Sequence, residues 1–410
     1  MCKNECKIIS SILLLCIFFP FLGVIQGIDI QPNFLIVGSV FLPLFVFVNR
    51  LSLKVITIYV FMLYLIFLHY FIFYDLLSLK YFITYVGTFL TAFLMYVYFN
   101  ANTLNISKSG ILTLIFIYLF IGMLQKVYPT FLLELVSRSA EAGESLSETG
   151  RGVRSITVEP AALGKIITTF NLLYLSIYLR QYDYSKFYAI FFSFILLVFN
   201  ALIPMSLYAL AIHCVSFIIL VFILDKRYVF LIFFIFVSVF VVLYFNYEYI
   251  EDYRIIRLVV AVFNSPDFIL QQGAIRRLFN IPISVNNLYY YGWLGSSNSS
   301  EMFLTSFYTP IGYFYYEMAS KANGGFVELI LRFGILSIPF LFFYAYVLSK
   351  ITSYKILNQN GREIRIGVYY AATVFLLTFQ DSSTVSPVAW FLVFHFYFIS
   401  KKNNVRASYL

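Results

Sequence analysis

Runs of about twenty apolar residues recur from one end of this chain to the other, and that is the length an α-helix needs to cross the hydrocarbon core of a bilayer. Inside lipid every backbone N–H and C=O must find its partner within the protein, so a chain built from such runs is confined to packed helices. Of its 410 residues 61% are hydrophobic and 11% charged, whereas a soluble domain carries roughly 25% charged residues. The deficit excludes a soluble two-domain enzyme, a disordered chain, a fibrous chain and a disulfide-stapled secreted one. With 35 Tyr and 49 Phe against 2 Trp, the aromatic content reads as lipid-facing and core material. A net charge of +9 reads as basic loops that set orientation in a membrane, and no nucleic acid is expected as a partner. The expected fold is an all-α polytopic membrane protein, a single integral membrane domain over residues 1–410 with about 12 transmembrane helices.

The candidate spans lie at about 8–28, 32–48, 55–73, 81–99, 110–125, 160–179, 187–203, 205–224, 228–246, 326–349, 366–380 and 386–400. The first resembles a signal peptide, because Lys3 and Lys7 precede an apolar run. No small-residue cleavage site follows and further spans do, so it is expected to be retained. Three leucines precede Cys16, which argues against lipoprotein processing. With the N-terminus inside, the segments on that side carry Lys3, Lys7, Arg50, Lys54, Lys108, Arg180, Lys186, Lys226, Arg227, Lys350, Lys355, Arg362, Arg365, Lys401, Lys402 and Arg406. The short turns on the other side carry Lys80 alone. That asymmetry is what the positive-inside rule counts, and it places both termini in the cytoplasm.

Two long loops then fall outside, at about 126–159 and 247–325, and loops of such length usually serve a function. The first is polar and flexible in composition. The second holds an amphipathic piece around Arg254 and Arg257, the pair Arg276-Arg277, and a Gly/Ser/Tyr-rich stretch from Tyr289 to Ser300. Basic residues in translocated loops run against the orientation bias. The two loops and their rims nevertheless carry Lys126, Arg138, Arg151, Arg154, Lys165, Arg254, Arg257, Arg276, Arg277 and Lys321. Arginine offers a planar fork that grips phosphate through two hydrogen bonds and stays charged, so these residues suit a pyrophosphate-linked lipid at the outer surface. Cys2, Cys6, Cys16 and Cys214 lie at the N-terminus or in spans, and no disulfide is expected. His69, His213 and His395 stand singly in different spans, each expected to be a packed or hydrogen-bonded helix residue. No metal and no cofactor is expected.

The sharpest local feature is Gly150-Arg151-Gly152-Val153-Arg154-Ser155-Ile156-Thr157-Val158-Glu159-Pro160. Proline suits the first turn of a helix, where its missing N–H costs nothing. Glu159 then stands at the helix N-terminus, where the dipole favours an anion, at the outer mouth of a span with Arg154 upstream and Lys165 one to two turns inside. Two readings are open: a capped helix with a local ion pair, and a carboxylate facing an Arg-lined pocket. A second feature, Asn323 through Gly334-Ile335, opens the tenth span. Glu328 and Arg332 are four apart there and share a helix face, either as an ion pair locking two helices or as a substrate contact. Gly324, Gly325 and Gly334 permit close backbone approach or a kink. The stretch Tyr289 to Gly295 suits sugar stacking or an interfacial aromatic belt. Asp381, at the outer end of the eleventh span, is a further candidate acid. No Gly-rich phosphate loop, Ser-His-Asp arrangement or zinc motif is present in the sequence.

On these motifs, and on its layout of many spans with the larger outer loop late in the chain, the sequence resembles the Wzy-type O-antigen or capsular repeat-unit polymerases, within the wider group that holds the O-antigen ligases. The resemblance implies a metal-independent glycosyltransferase with a glycosyltransferase-C-like helical fold in the bacterial plasma membrane. It implies undecaprenyl-pyrophosphate-linked oligosaccharide and membrane lipids as partners, with room for a chain-length regulator protein. Arg151, Arg154, Arg276 and Arg277 are implied to hold pyrophosphate. The ligase branch carries a His shortly before the run matching Asn323, and Lys321-Ala322 stand there instead, which favours polymerase. Glu159 is the expected catalytic base, with Glu328 or Asp381 behind it. A lipid-linked oligosaccharide flippase is the rival reading; it calls for short loops and charges within the spans.

Overall fold

The computed structural model describes residues 3–23, 30–48, 53–72, 79–136, 152–181, 184–229, 293, 303–309, 312–318, 326, 329–330, 333–357, 363–379 and 386–407. The described chain is mostly helical. Its helices are α1 (Lys3–Phe18), α2 (Asn33–Val48), α3 (Leu53–Ile72), α4 (Leu79–Asn100), α5 (Lys108–Val127), α6 (Pro160–Tyr178), α7 (Lys186–Leu202), α8 (Leu207–Leu224), α9 (Ile338–Thr352), α10 (Gly367–Thr378) and α11 (Pro387–Ala407). Among the described residues four segments are long and apolar enough to cross a membrane: Phe82–Asn100, Lys108–Val127, Pro160–Tyr178 and Gly334–Thr352.

Where the helices start is written in their flanking residues. Ser107, Ser185 and Ser206 precede α5, α7 and α8 in extended conformation, and each hydroxyl accepts a hydrogen bond from an N–H of the first turn. A serine in this place satisfies one of the donors that every helix N-terminus leaves open. α6 instead begins at Pro160, as its sequence predicts. α1 stops at Phe18, earlier than the first apolar run suggested, because Pro20 follows and cannot continue a helix.

α6 lies at the centre of the bundle. It packs on α5, α7, α8 and α10, while α10 in turn meets α8, α9 and α11. A second group forms around α4, which receives α2, α3 and α11, and α1 bridges the two by packing on α2 and α11. Aromatic rings fill the joint: Phe18 of α1 lies 5.5 Å from Phe170 of α6 and 5.1 Å from Phe391 of α11.

Two details are added to the expected helical fold. Short strands accompany the helices. Strands β1 (Phe303–Thr309) and β2 (Gly312–Met318) pair antiparallel within the second long loop, and the short β3 (Ile356–Leu357) and β4 (Glu363–Ile364) pair between α9 and α10. Alternation of Phe, Tyr and Thr over a few residues is a strand pattern that a search for apolar runs passes over. The tenth run is also not one continuous helix. Gly334 adopts φ 53, a left-handed conformation open to glycine. A 3-10 turn over Gly334–Ser337 follows, and α9 starts afresh with Pro339 in its first turn. Of the two options for Gly334, the structure takes the kink. The ninth run, 228–246, lies almost wholly outside the described residues.

Candidate functional site

The segment that leads into α6 belongs to the loop expected at about 126–159, polar and flexible in composition. From Gly152 to Val158 it is instead tucked into the bundle, buried throughout except at the half-buried Val153. The reason is local and steric. A side chain at Gly152 would stand 2.1 Å from the Pro204 carbonyl oxygen, and one at Gly122 of α5 would stand 2.8 Å from Ile203. The backbones of α5, of this segment and of the α7–α8 turn therefore approach more closely than side chains permit. Val153 N–H donates to the Ile203 carbonyl at 3.1 Å, closing the contact.

Hydrogen bonds fix the segment from the other side. The Ser155 hydroxyl donates to the Tyr118 carbonyl at 2.8 Å, and the Gln125 side-chain amide donates to the carbonyls of Ser155 and Phe131, both at 2.9 Å. Thr157 reaches the carbonyls of Arg154 and Glu159. Ser155 is held at φ 52. A non-glycine residue there costs of order 1–3 kcal/mol and persists only when its surroundings over-determine it. Three buried polar side chains, Ser155, Gln125 and Thr157, supply that constraint.

Within this frame Arg154 is 3% exposed, so its guanidinium lies inside the bundle and not on an open rim. Glu159 is the N-cap residue of α6, in extended conformation and half-buried, and its carboxylate makes no capping hydrogen bond. Lys165 lies half-buried one to two turns farther along. Arg154 and Glu159 thus share one pinned segment at one end of the central helix, with Arg154 more enclosed than expected. Arg151, Arg276, Arg277, Glu328 and Asp381 lie outside the described residues. Of the aromatic stretch Trp293 is described. It is 55% exposed, and its carbonyl accepts from Ile335 N–H at 2.9 Å, so Trp293 touches the kink that precedes α9.

Beneath the segment lies a polar network that sequence reasoning missed. The side-chain amide of Asn171 in α6 lies 3.3 Å from Nε2 of His213 in α8, and that of Asn200 in α7 lies 3.1 Å from Nδ1. Asn200 also donates to the Gly164 carbonyl at 3.1 Å, and Ser193 donates to Asn171 at 3.0 Å. All of these side chains are at most 1% exposed. A neutral imidazole has one donor and one acceptor. An amide nitrogen stands beside each ring nitrogen here, and the ring can accept a hydrogen bond from one of the two. Considering each His singly hid this, since the signal was the presence of isolated amides, Asn171 and Asn200, in otherwise apolar runs. Among the described residues no group of three or more His, Cys, Asp or Glu is placed to hold a metal.

No known protein family, curated protein or solved structure matches this chain.

Proposed function

We propose that this protein polymerises undecaprenyl-pyrophosphate-linked oligosaccharide repeat units into O-antigen or capsular polysaccharide, as a metal-independent glycosyltransferase at the outer face of the bacterial plasma membrane. The observation that carries the reading is Glu159: a carboxylate at the mouth of the central helix, uncommitted to capping, on a segment shared with a buried arginine. In this reading the chain has about 12 spans in a glycosyltransferase-C-like bundle, with both termini cytoplasmic and the mouth of α6 facing outward.

The reaction is a single displacement. The acceptor hydroxyl gives its proton to Glu159 while its oxygen bonds to the anomeric carbon of the donor glycan. The bond from that carbon to the pyrophosphate breaks, and the lipid pyrophosphate leaves with the electron pair, so the anomeric centre inverts. A base must stand within hydrogen-bond reach of the acceptor. Charge growing on the leaving group is met by guanidinium groups, which act most strongly where water is excluded. Arg154, already withdrawn from water, suits that task, with Arg151, Arg276 and Arg277 as further holders and Glu328 and Asp381 as second-line acids. Against the flippase alternative stands the character of the polar groups at the centre of the bundle: Asn171, His213 and Asn200 are enclosed and contact one another.

Deletion of the gene with size analysis of the surface glycan tests the reading. Loss of a polymerase leaves single repeats, loss of a flippase leaves none, and loss of a ligase strands polymer on its lipid carrier. Arg154→Ala, with the protein still inserted, should likewise leave single repeats. Reporter fusions that locate residues 130–155 in the cytosol would overturn the orientation and the reading with it.

A further inference from the structure

The far end of α6 holds a second cluster, which the glycosyl-transfer reading leaves unused. Tyr184, in the α6–α7 turn, and Tyr370, in the first turn of α10, are 3% and 1% exposed. Among the described residues neither hydroxyl has a hydrogen-bond partner. Arg180, Tyr184, Tyr354 and Tyr369 all lie within electrostatic range of the Tyr370 hydroxyl, and the Tyr354 and Tyr370 rings are 5.8 Å apart. Arg180 is exposed and anchored by its Nε, which donates to the Ser176 carbonyl at 2.7 Å.

Buried hydroxyls ordinarily find partners, and two phenols within electrostatic range of a guanidinium are donors of the kind an anionic acceptor would take. Burial pushes the Tyr184 hydroxyl above the usual tyrosine range, so it stays a protonated donor at ordinary pH. The negative C-terminal end of the α6 dipole opposes an anion here, and two features offset it. The N-termini of α7 and α10 adjoin the cluster with their positive ends. The flanking segments are also net basic: Arg180, Lys186, Lys350, Lys355, Arg362 and Arg365 stand against Asp183 and Glu363, and Glu363 is paired with Lys355. The position is equally specific. α6 has 19 residues and at 1.5 Å per residue spans about 28 Å, close to the thickness of a bilayer's hydrocarbon core. A cluster just past its end therefore lies at the level of lipid headgroups.

We propose that this nook, framed by Arg180, Tyr184 and Tyr370, binds the phosphate of an anionic phospholipid headgroup. The inference is independent of the glycosyltransferase reading and stands or falls without it. The test is lipid retention by the full-length protein purified in detergent, measured by native mass spectrometry with phosphatidylglycerol, with phosphatidylcholine and with inorganic phosphate. Phosphatidylglycerol should be retained several-fold over phosphatidylcholine. Tyr184→Phe and Tyr370→Phe, which keep the rings and remove only the hydroxyls, should each lower retention several-fold, and Arg180→Gln by about ten-fold, the usual effect of losing a charged hydrogen-bond partner. If a Phe variant fails to fold, Arg180→Gln decides, since that side chain is exposed. Equal retention of the two lipids, or unchanged retention in all variants, overturns the proposal. Binding of inorganic phosphate without phosphatidylglycerol, lost in the same variants, overturns the lipid assignment in favour of a soluble anion.

Discussion

α5 and α6 pack side by side, and they invert the usual relation between hydropathy and burial. Of the four long apolar helices, α5 is the most apolar and α6 the least, yet 89% of the apolar window in α6 is buried against 33% in α5. In water the more apolar helix would take the centre. In lipid the acyl chains are as apolar as leucine, so no hydrophobic term sorts helices. Small residues that allow close approach and polar residues that bond across helices do the sorting. α6 carries Gly164, Thr168, Asn171 and Ser176 into the interior, whereas α5 presents Leu112, Phe116, Phe120 and Met123 outward. The central helix is central because it is polar, and its mouth is where the candidate site lies.

The largest expected difference between the two helices is functional. Glu159→Gln, at the start of α6, should cut polymerisation by about 10²–10⁴-fold, the range that general-base catalysis supplies. Glu134→Gln, an exposed acid in the turn after α5, should leave the glycan length distribution unchanged. Gel analysis of surface glycan, with membrane abundance of each variant measured in parallel, reads both. Full-length polymer from Glu159→Gln would remove the functional distinction and the catalytic role together.

Packing supplies the next contrast. In α6 a methyl group at Gly164 would lie 2.5 Å from Asn200 Oδ1 and 2.6 Å from the Ala209 methyl, whereas at Gly110 of α5 the nearest atom is Ser107 Oγ at 3.2 Å. Gly164→Ala should therefore destabilise by about 1–3 kcal/mol, the scale of overpacking a tight core. Gly110→Ala should be neutral or slightly stabilising, since alanine is the better helix former. Thermal melting of the detergent-purified proteins measures both. Equal melting temperatures would show that α6 is no more tightly held than its neighbour.

Much of this was legible in the sequence, for reasons that differ by residue. Most helices were, because a run long enough to span lipid admits one secondary structure. The Glu159-Pro160 start of α6 was, because proline at a first turn and an acid before it are local signals. The burial of Arg154 was not. It depends on Gly152 and Gly122 drawing three separated segments together, and although Gly152 is two residues from Arg154, which distant segments it meets is not encoded there. The kink at Gly334 was one of two open options, since a glycine within an apolar run serves a close contact as readily as a bend. The strands β1 and β2 were hidden by a search tuned to helical length.

The smallest expected effects separate an enclosed polar contact beside α6 from an apolar contact on the outer face of α5. Asn200 and His213 join α7 to α8 beside α6, while Phe116 and Phe120 stack at 5.5 Å along the outer face of α5. Double-mutant cycles isolate each pairwise term. Asn200→Leu with His213→Leu should give a coupling of about 0.6–1.7 kcal/mol, the range measured for interhelical hydrogen bonds in lipid. Phe116→Ala with Phe120→Ala should give less than about 0.5 kcal/mol, because acyl chains replace whatever the rings lose. Reversible unfolding in bicelles reads both cycles. Couplings of equal size would mean that the polar network does not hold the central helix, and that the inversion of burial between α5 and α6 has another cause.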